Sequence, residues 1–195
     1  MSTRAFHHGN LRQELLDRAE AMLRKRGIEA LSLRELAREA GVSHGAPRSH
    51  FPDKAALLDA LAARGYERLA DRAEGLAHAD LTPRERLLAL GRAHLDFALR
   101  DAALADLMYA AKAAGPSPIV EPGVHRLYAA SSTIVSTSLE SLRGEPVDPL
   151  RTTLLMSSMT QGIASLIGSG RIPAELGEVL VSDAVDLFES GQLPS

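Results

Sequence analysis

The chain contains no cysteine, which excludes disulfides, thiolate metal sites and a cysteine nucleophile. Tryptophan is absent and aromatic residues make up only 4% of the sequence, so leucine and alanine must fill whatever core it buries. No apolar run approaches the roughly 20 residues needed to cross a bilayer. The stretch before Leu11 is polar and lacks a signal-peptide pattern, so the expectation is a soluble, cytoplasmic protein without a membrane partner. Also missing are His-Glu-x-x-His, Gly-x-Ser-x-Gly, a glycine loop that cradles phosphate, and any cluster with metal-ligand spacing. His7 and His8 are adjacent but too few to hold a metal alone. The sequence therefore gives no ground for an enzyme, a metal or a cofactor.

What the chain does contain is helix-forming. Its 195 residues, 45% of them hydrophobic, suffice for one or two compact domains, and alanine, leucine, arginine and glutamate dominate. The expected class is all-α. The net charge of −3 conceals a polarity: residues 1–68 hold 12 lysines and arginines against 9 acids, residues 69–195 hold 10 against 16. A basic head on an acidic body confines contact with phosphate to the head.

The most informative stretch runs from Ser32 to Phe51. Ser32 and Glu35 have capping-box spacing, Leu31 and Leu36 can staple the helix start, and Leu33, Leu36, Ala37 and Ala40 recur at helical spacing. Gly41 frees the backbone to leave that helix, and Ser43 can cap a second one. Pro52 pushes Phe51 out of the helical region and limits the second helix to roughly two turns. Helix, tight turn and short helix make a unit sized for a DNA major groove. A first helix from about Asn10 to Arg26, with Leu11, Leu15, Ala19, Met22 and Leu23 inward, completes a three-helix domain.

Asp53 caps a long helix to about Leu76, which leaves the recognition segment and runs towards the body. Thr82-Pro83-Arg84-Glu85 opens another with a cap, a proline at the first helical position and a capping glutamate. Further helices are expected over about Ala102–Ala113, Pro122–Leu142, from Asp148-Pro149 to near Gly168, and from Pro173 to near Ser190. That makes about nine helices and no strand.

Together, His7-His8-Gly9-Asn10-Leu11-Arg12, the run Leu31 to Ser43, and His50-Phe51-Pro52-Asp53-Lys54 resemble the DNA-binding domain of the TetR (tetracycline-repressor-type) family of transcriptional regulators. The resemblance covers roughly residues 7–58 and is closest to the subgroup that begins His-His-Gly-Asn-Leu-Arg. It implies a helix-turn-helix domain over 1–54 and a helical effector-binding and dimerisation domain over 55–195. It further implies a homodimer, paired through its last two helices, on a palindromic double-stranded operator. The function implied is a ligand-responsive regulator, most simply a repressor; an activator, or a regulator without small-molecule control, fits the same sequence.

Two departures stand out. The family usually has a tyrosine two residues before the His-Phe pair, where its hydroxyl meets a phosphate; here that residue is Arg48. Arg48 can clamp a phosphate or fork onto a guanine edge. The subgroup's Trp-x-x-x-His-Gly pattern is replaced by Ser157-Ser158-Met159-Thr160-Gln161-Gly162. The expected DNA contacts are Ser32, Ser43, His44, Gly45, Arg48, Ser49, His50 and Lys54, with Val42, Ala46 and Phe51 packing inward. Gly45 either allows close backbone approach to DNA or merely relaxes the turn, and His50 either meets a phosphate or bonds internally.

In the body, His94 falls on an inner helix face with Leu87, Gly91 and Ala98. His94, Phe97, Met108, Tyr109, Tyr128, Ser131, Met156, Met159 and Gln161 are candidate effector contacts or ordinary core. The stripe Ser131, Ser132, Ser136 and Ser138 lines a pocket or permits close helix packing. No charge cluster marks the body, so the expected small-molecule effector is mostly apolar or neutral.

Overall fold

The computed structural model describes residues 11–113 and 115–191. Among them are eight α-helices and no strand: α1 Leu11–Arg26, α2 Leu33–Ala40, α3 Lys54–Ala77, α4 Pro83–Arg100, α5 Ala102–Ala113, α6 Glu121–Arg143, α7 Pro149–Gly168 and α8 Leu176–Glu189. Short 3-10 turns occupy Ile28–Ala30 and Pro47–Ser49. The helices divide into two compact units. The first comprises the described parts of Met1–Gly65 with Ala103–Val120, and the second those of Tyr66–Ala102 with Glu121–Ser195. The chain passes from the first to the second within α3.

Helix boundaries follow local chemistry. Ser32 caps α2 by accepting the Glu35 N–H at 3.1 Å, and Asp53 caps α3 through the Ala56 N–H at 2.8 Å. Thr82 and Glu85 form a complete capping box at α4, and Asp148 accepts the Arg151 N–H at 2.9 Å to open α7. The box at α2 is only half formed, because the Glu35 carboxylate is taken by Arg38 and Arg26. Gly41 leaves α2 at φ 66°, a left-handed conformation that glycine adopts without a Cβ clash.

In the first unit Leu15, Ala19 and Leu23 of α1, Leu36 and Ala37 of α2, Phe51, and Leu57 and Leu61 of α3 are all buried. Gly65 lets α5 approach closely, since a Cβ there would crowd the Met108 side chain. In the second unit α4 packs against α6, α7 and α8, with Leu95, Ile163 and Val181 at the centre. Gly91 lets α8 approach, since a Cβ would meet Val181 Cγ1 at 2.8 Å. Arg84–Asp186 and Arg92–Glu178, each at 2.6 Å, tie α4 to α8.

Two expectations are corrected. Residues 44–50 form turns and one 3-10 turn instead of a two-turn α-helix, so eight α-helices replace nine. Pro47 is the cause. It has no N–H to donate to the Ser43 carbonyl and its ring would crowd that carbonyl, so Ser43 does not cap an α-helix. The Ser43 carbonyl instead accepts the Ala46 N–H at 3.0 Å, and Gly45 and Pro47 accept from Arg48 and His50 in the same three-residue step, each at 3.1 Å. The last helix also starts later than Pro173, because Leu176 N–H and Gly177 N–H first bond back to Pro173 and Ala174 in a tight turn.

Candidate nucleic-acid interface

The helix-turn-helix builds its exposed face from the backbone outward. Buried Pro47 and Phe51 anchor the segment after α2, the Phe51 N–H closing on the Pro47 carbonyl at 2.8 Å. With these two fixed inward, Ser43, His44, Gly45, Arg48 and Ser49 are all exposed, while Val42, Ala46 and His50 are half-buried. Ser49 Oγ donates to the Ala46 carbonyl at 2.7 Å, which stiffens the turn. Pro47 is the anchor that sequence reasoning missed; its place among small and polar residues concealed it.

Lys54, at the start of α3, donates Nζ to the Ile28 carbonyl at 3.0 Å. The ammonium is thereby held near the start of α2, with two N–H donors left over. Arg34 also escaped the sequence reading. It is exposed in the first turn of α2 and has no carboxylate partner among the described residues. The exposed end of α2 carries a charge lattice: Arg26 bridges Glu35 and Glu39 at 3.1 and 2.6 Å, and Arg38 bridges the same two at 2.6 and 3.1 Å. Arg38 first, then Arg26, holds the Glu35 carboxyl down to about 2. Glu39 is lowered by Arg26 in the same way. His7, His8, Gly9 and Asn10 lie outside the described residues.

The second unit contains a cavity of about 20 Å3, room for one water, lined by Leu90, Gly91, His94, Ser131, Val135, Thr153, Met156, Ser157 and Thr160. Three of the nine expected effector contacts, His94, Ser131 and Met156, line it. Phe97 is buried core, Tyr128, Met159 and Gln161 are half-buried outside the lining, and Met108 and exposed Tyr109 belong to the first unit. His94 Nδ1–H donates to the Leu90 carbonyl at 3.0 Å, which leaves Nε2 as an acceptor when the ring is neutral. Burial above all lowers its pKa from 6.5; the charge of Arg72 acts the same way, against the Leu90 hydrogen bond. Ser131 Oγ and Ser138 Oγ are buried without a partner among the described residues, whereas Ser132 reaches Thr153 at 3.2 Å and Ser136 the Thr133 carbonyl at 3.4 Å. The wall polarity was legible as a serine stripe; Thr153, Ser157 and Thr160 were not, since only the packing of α7 on α6 turns them inward.

Among the described residues, a capped helix, a glycine turn and an exposed, partly basic turn after it have the layout of a helix-turn-helix DNA-binding segment. Residues 15–61 match the family described as bacterial regulatory proteins, tetR family. The HTH-type transcriptional regulator PksA of Bacillus subtilis (strain 168) is 32% identical over 83 residues, which cover 43% of this chain and only 40% of PksA. A protein of unknown function from Rhodococcus sp. RHA1 is 40% identical, with 97% of this chain and 98% of that one superimposed at a TM-score of 0.85. The TetR-family regulator PfmR of Thermus thermophilus shares the fold at a TM-score of 0.68 and 20% identity, covering 92% of this chain and 99% of PfmR. Residues 15–61 are thus similar to the tetR family, and the chain shares the fold of PfmR. Proteins of this family are DNA-binding regulators of transcription, not enzymes. No described helix is long and apolar enough to cross a membrane.

Proposed function

We propose that the protein is a cytoplasmic repressor that binds a palindromic operator as a homodimer and changes its DNA affinity when a small, mostly apolar effector fills the body. The observation that carries the reading is the exposed run His44, Gly45, Arg48 and Ser49 on a turn anchored by buried Pro47 and Phe51. Residues 1–54 form the DNA-reading part and 55–195 the effector and dimer part, as in the His-His-Gly-Asn-Leu-Arg subgroup. One short turn reads only a few base pairs; two related by a symmetry axis read a palindrome. The dimer face is supported by the surfaces of α7 and α8, where Leu150, Leu154, Leu155, Leu166, Leu176, Val179 and Leu187 are exposed.

The effector part draws support from the cavity with His94 Nε2 and the unpartnered Ser131 Oγ. A space for one water is far below the roughly 300 Å3 of a ligand pocket, so an effector must open the α4–α6–α7 packing to enter. That opening provides the two arrangements between which a ligand can choose. The test is to recover the genomic fragments that the protein retains, and to identify by mass spectrometry the small molecules it retains from cell extract. Those molecules should release the fragments. Retention of DNA without sequence preference, or bound molecules that leave DNA affinity unchanged, contradicts the proposal.

A further inference from the structure

The arginines of the first unit sort into two sets. Arg18, Arg24, Arg26, Arg38 and Arg64 each hold a carboxylate, from Glu14, Glu20, Glu35 or Glu39, and Asp17. Arg12, like Arg34 and Arg48, holds none among the described residues, and residues 1–10, which precede Arg12, contain no aspartate or glutamate at all. Its guanidinium instead lies over the Phe51 ring, 5.2 Å from the centroid.

Arg12 is itself exposed, so the contact sets its guanidinium beside the segment whose outer residues are the expected DNA contacts. Phe51 follows the turn that presents Arg48, Ser49 and His50, and it stands three residues before Lys54. The first turn of α1 is therefore held against the stretch that carries the expected DNA contacts. An aromatic face offers no acceptor atom, and no described residue accepts from the guanidinium, so among the described residues its N–H donors remain for an outside partner.

We infer that Arg12 is a phosphate ligand, mounted on Phe51, that extends the DNA face from the recognition turn to α1; the inference rests on the DNA-binding reading above. It is tested on the full chain with a mixed-sequence duplex longer than two helical turns, titrated across a salt series. Arg12→Leu keeps an apolar cover on Phe51 and removes the charge; Arg12→Lys keeps the charge. For Arg12→Leu, affinity at low salt should fall about tenfold and the log–log salt slope should flatten by about one unit per protomer. Arg12→Lys should recover most of both, and the melting temperature of each variant should stay at the wild-type value. An unchanged slope in Arg12→Leu overturns the inference. So does an affinity loss that Arg12→Lys fails to recover while both variants melt early, which makes Arg12 a cover for Phe51 and nothing more. A changed sequence preference at constant slope overturns it too, by making Arg12 a base contact. If the wild type binds no duplex at low salt, the DNA-binding reading itself fails.

Discussion

Arg48 is one of two places where this chain leaves the pattern of the family it resembles, and its exposure on a turn pinned by Pro47 makes its role measurable. If it reads a guanine, Arg48→Ala costs about 1–3 kcal/mol and relaxes preference at one position per half-site. If it clamps phosphate, affinity falls alike for all sequences, and Arg48→Tyr restores it. Binding-site selection with both variants separates the outcomes. Lys54→Ala has a second consequence, because Nζ also bonds the Ile28 carbonyl: it should weaken binding to all duplexes and lower the melting temperature of the head. His94 gives a pH signature. Its pKa is depressed below 6.5 in the fold, so the unfolded chain takes up the proton first. The stability it contributes is therefore full above 6.5 and is lost as pH falls through 6.5 towards the folded value. Melting curves from pH 7.5 to 5 should fall more steeply for wild type than for His94→Gln; parallel curves contradict a half-buried, neutral ring. Glu35, held down to about 2 by Arg38 and Arg26, has the acid-side window: its contribution persists above its ordinary 4.5 and is lost between there and 2.

At the scale of elements, caps carry their cost openly. Ser32→Ala removes the acceptor of the Glu35 N–H and should destabilise the head by about 1 kcal/mol, read from denaturant melts. Gly65→Ala forces a Cβ onto Met108 and should cost about 1–3 kcal/mol by overpacking. Helix caps were the most legible feature of the sequence because their signals are local: Ser32, Asp53, Thr82-Pro83 and Asp148 all open helices where their spacing said they should. The recognition segment was less legible. Ser43 looked like a cap, and only the position of Pro47, four residues on, denies its carbonyl an α-helical donor. The cavity was the least legible, since lining depends on which faces of α4, α6 and α7 meet. His94 and Ser131 could be read from helical phase, whereas Tyr109 shares the phase pattern but is exposed in the other unit.

At the scale of the whole molecule, the proposed function requires two copies. The exposed leucines and valine of α7 and α8 lie around small residues, Ser158, Gly162 and Ser165, that permit close helix approach. Leu154→Glu together with Val179→Glu should shift the protein from dimer to monomer in sedimentation at micromolar concentration and weaken operator binding, while leaving the melting of the head unchanged. A wild-type monomer under those conditions contradicts the assembly. The most direct test of the central claim is selection of binding sites from a fully randomised duplex pool by the wild-type protein. The account predicts a single enriched palindrome whose half-site centres are about 34 Å apart, or a multiple of it, along one DNA face. Recovery of unenriched sequence, or of a lone asymmetric site, would contradict it.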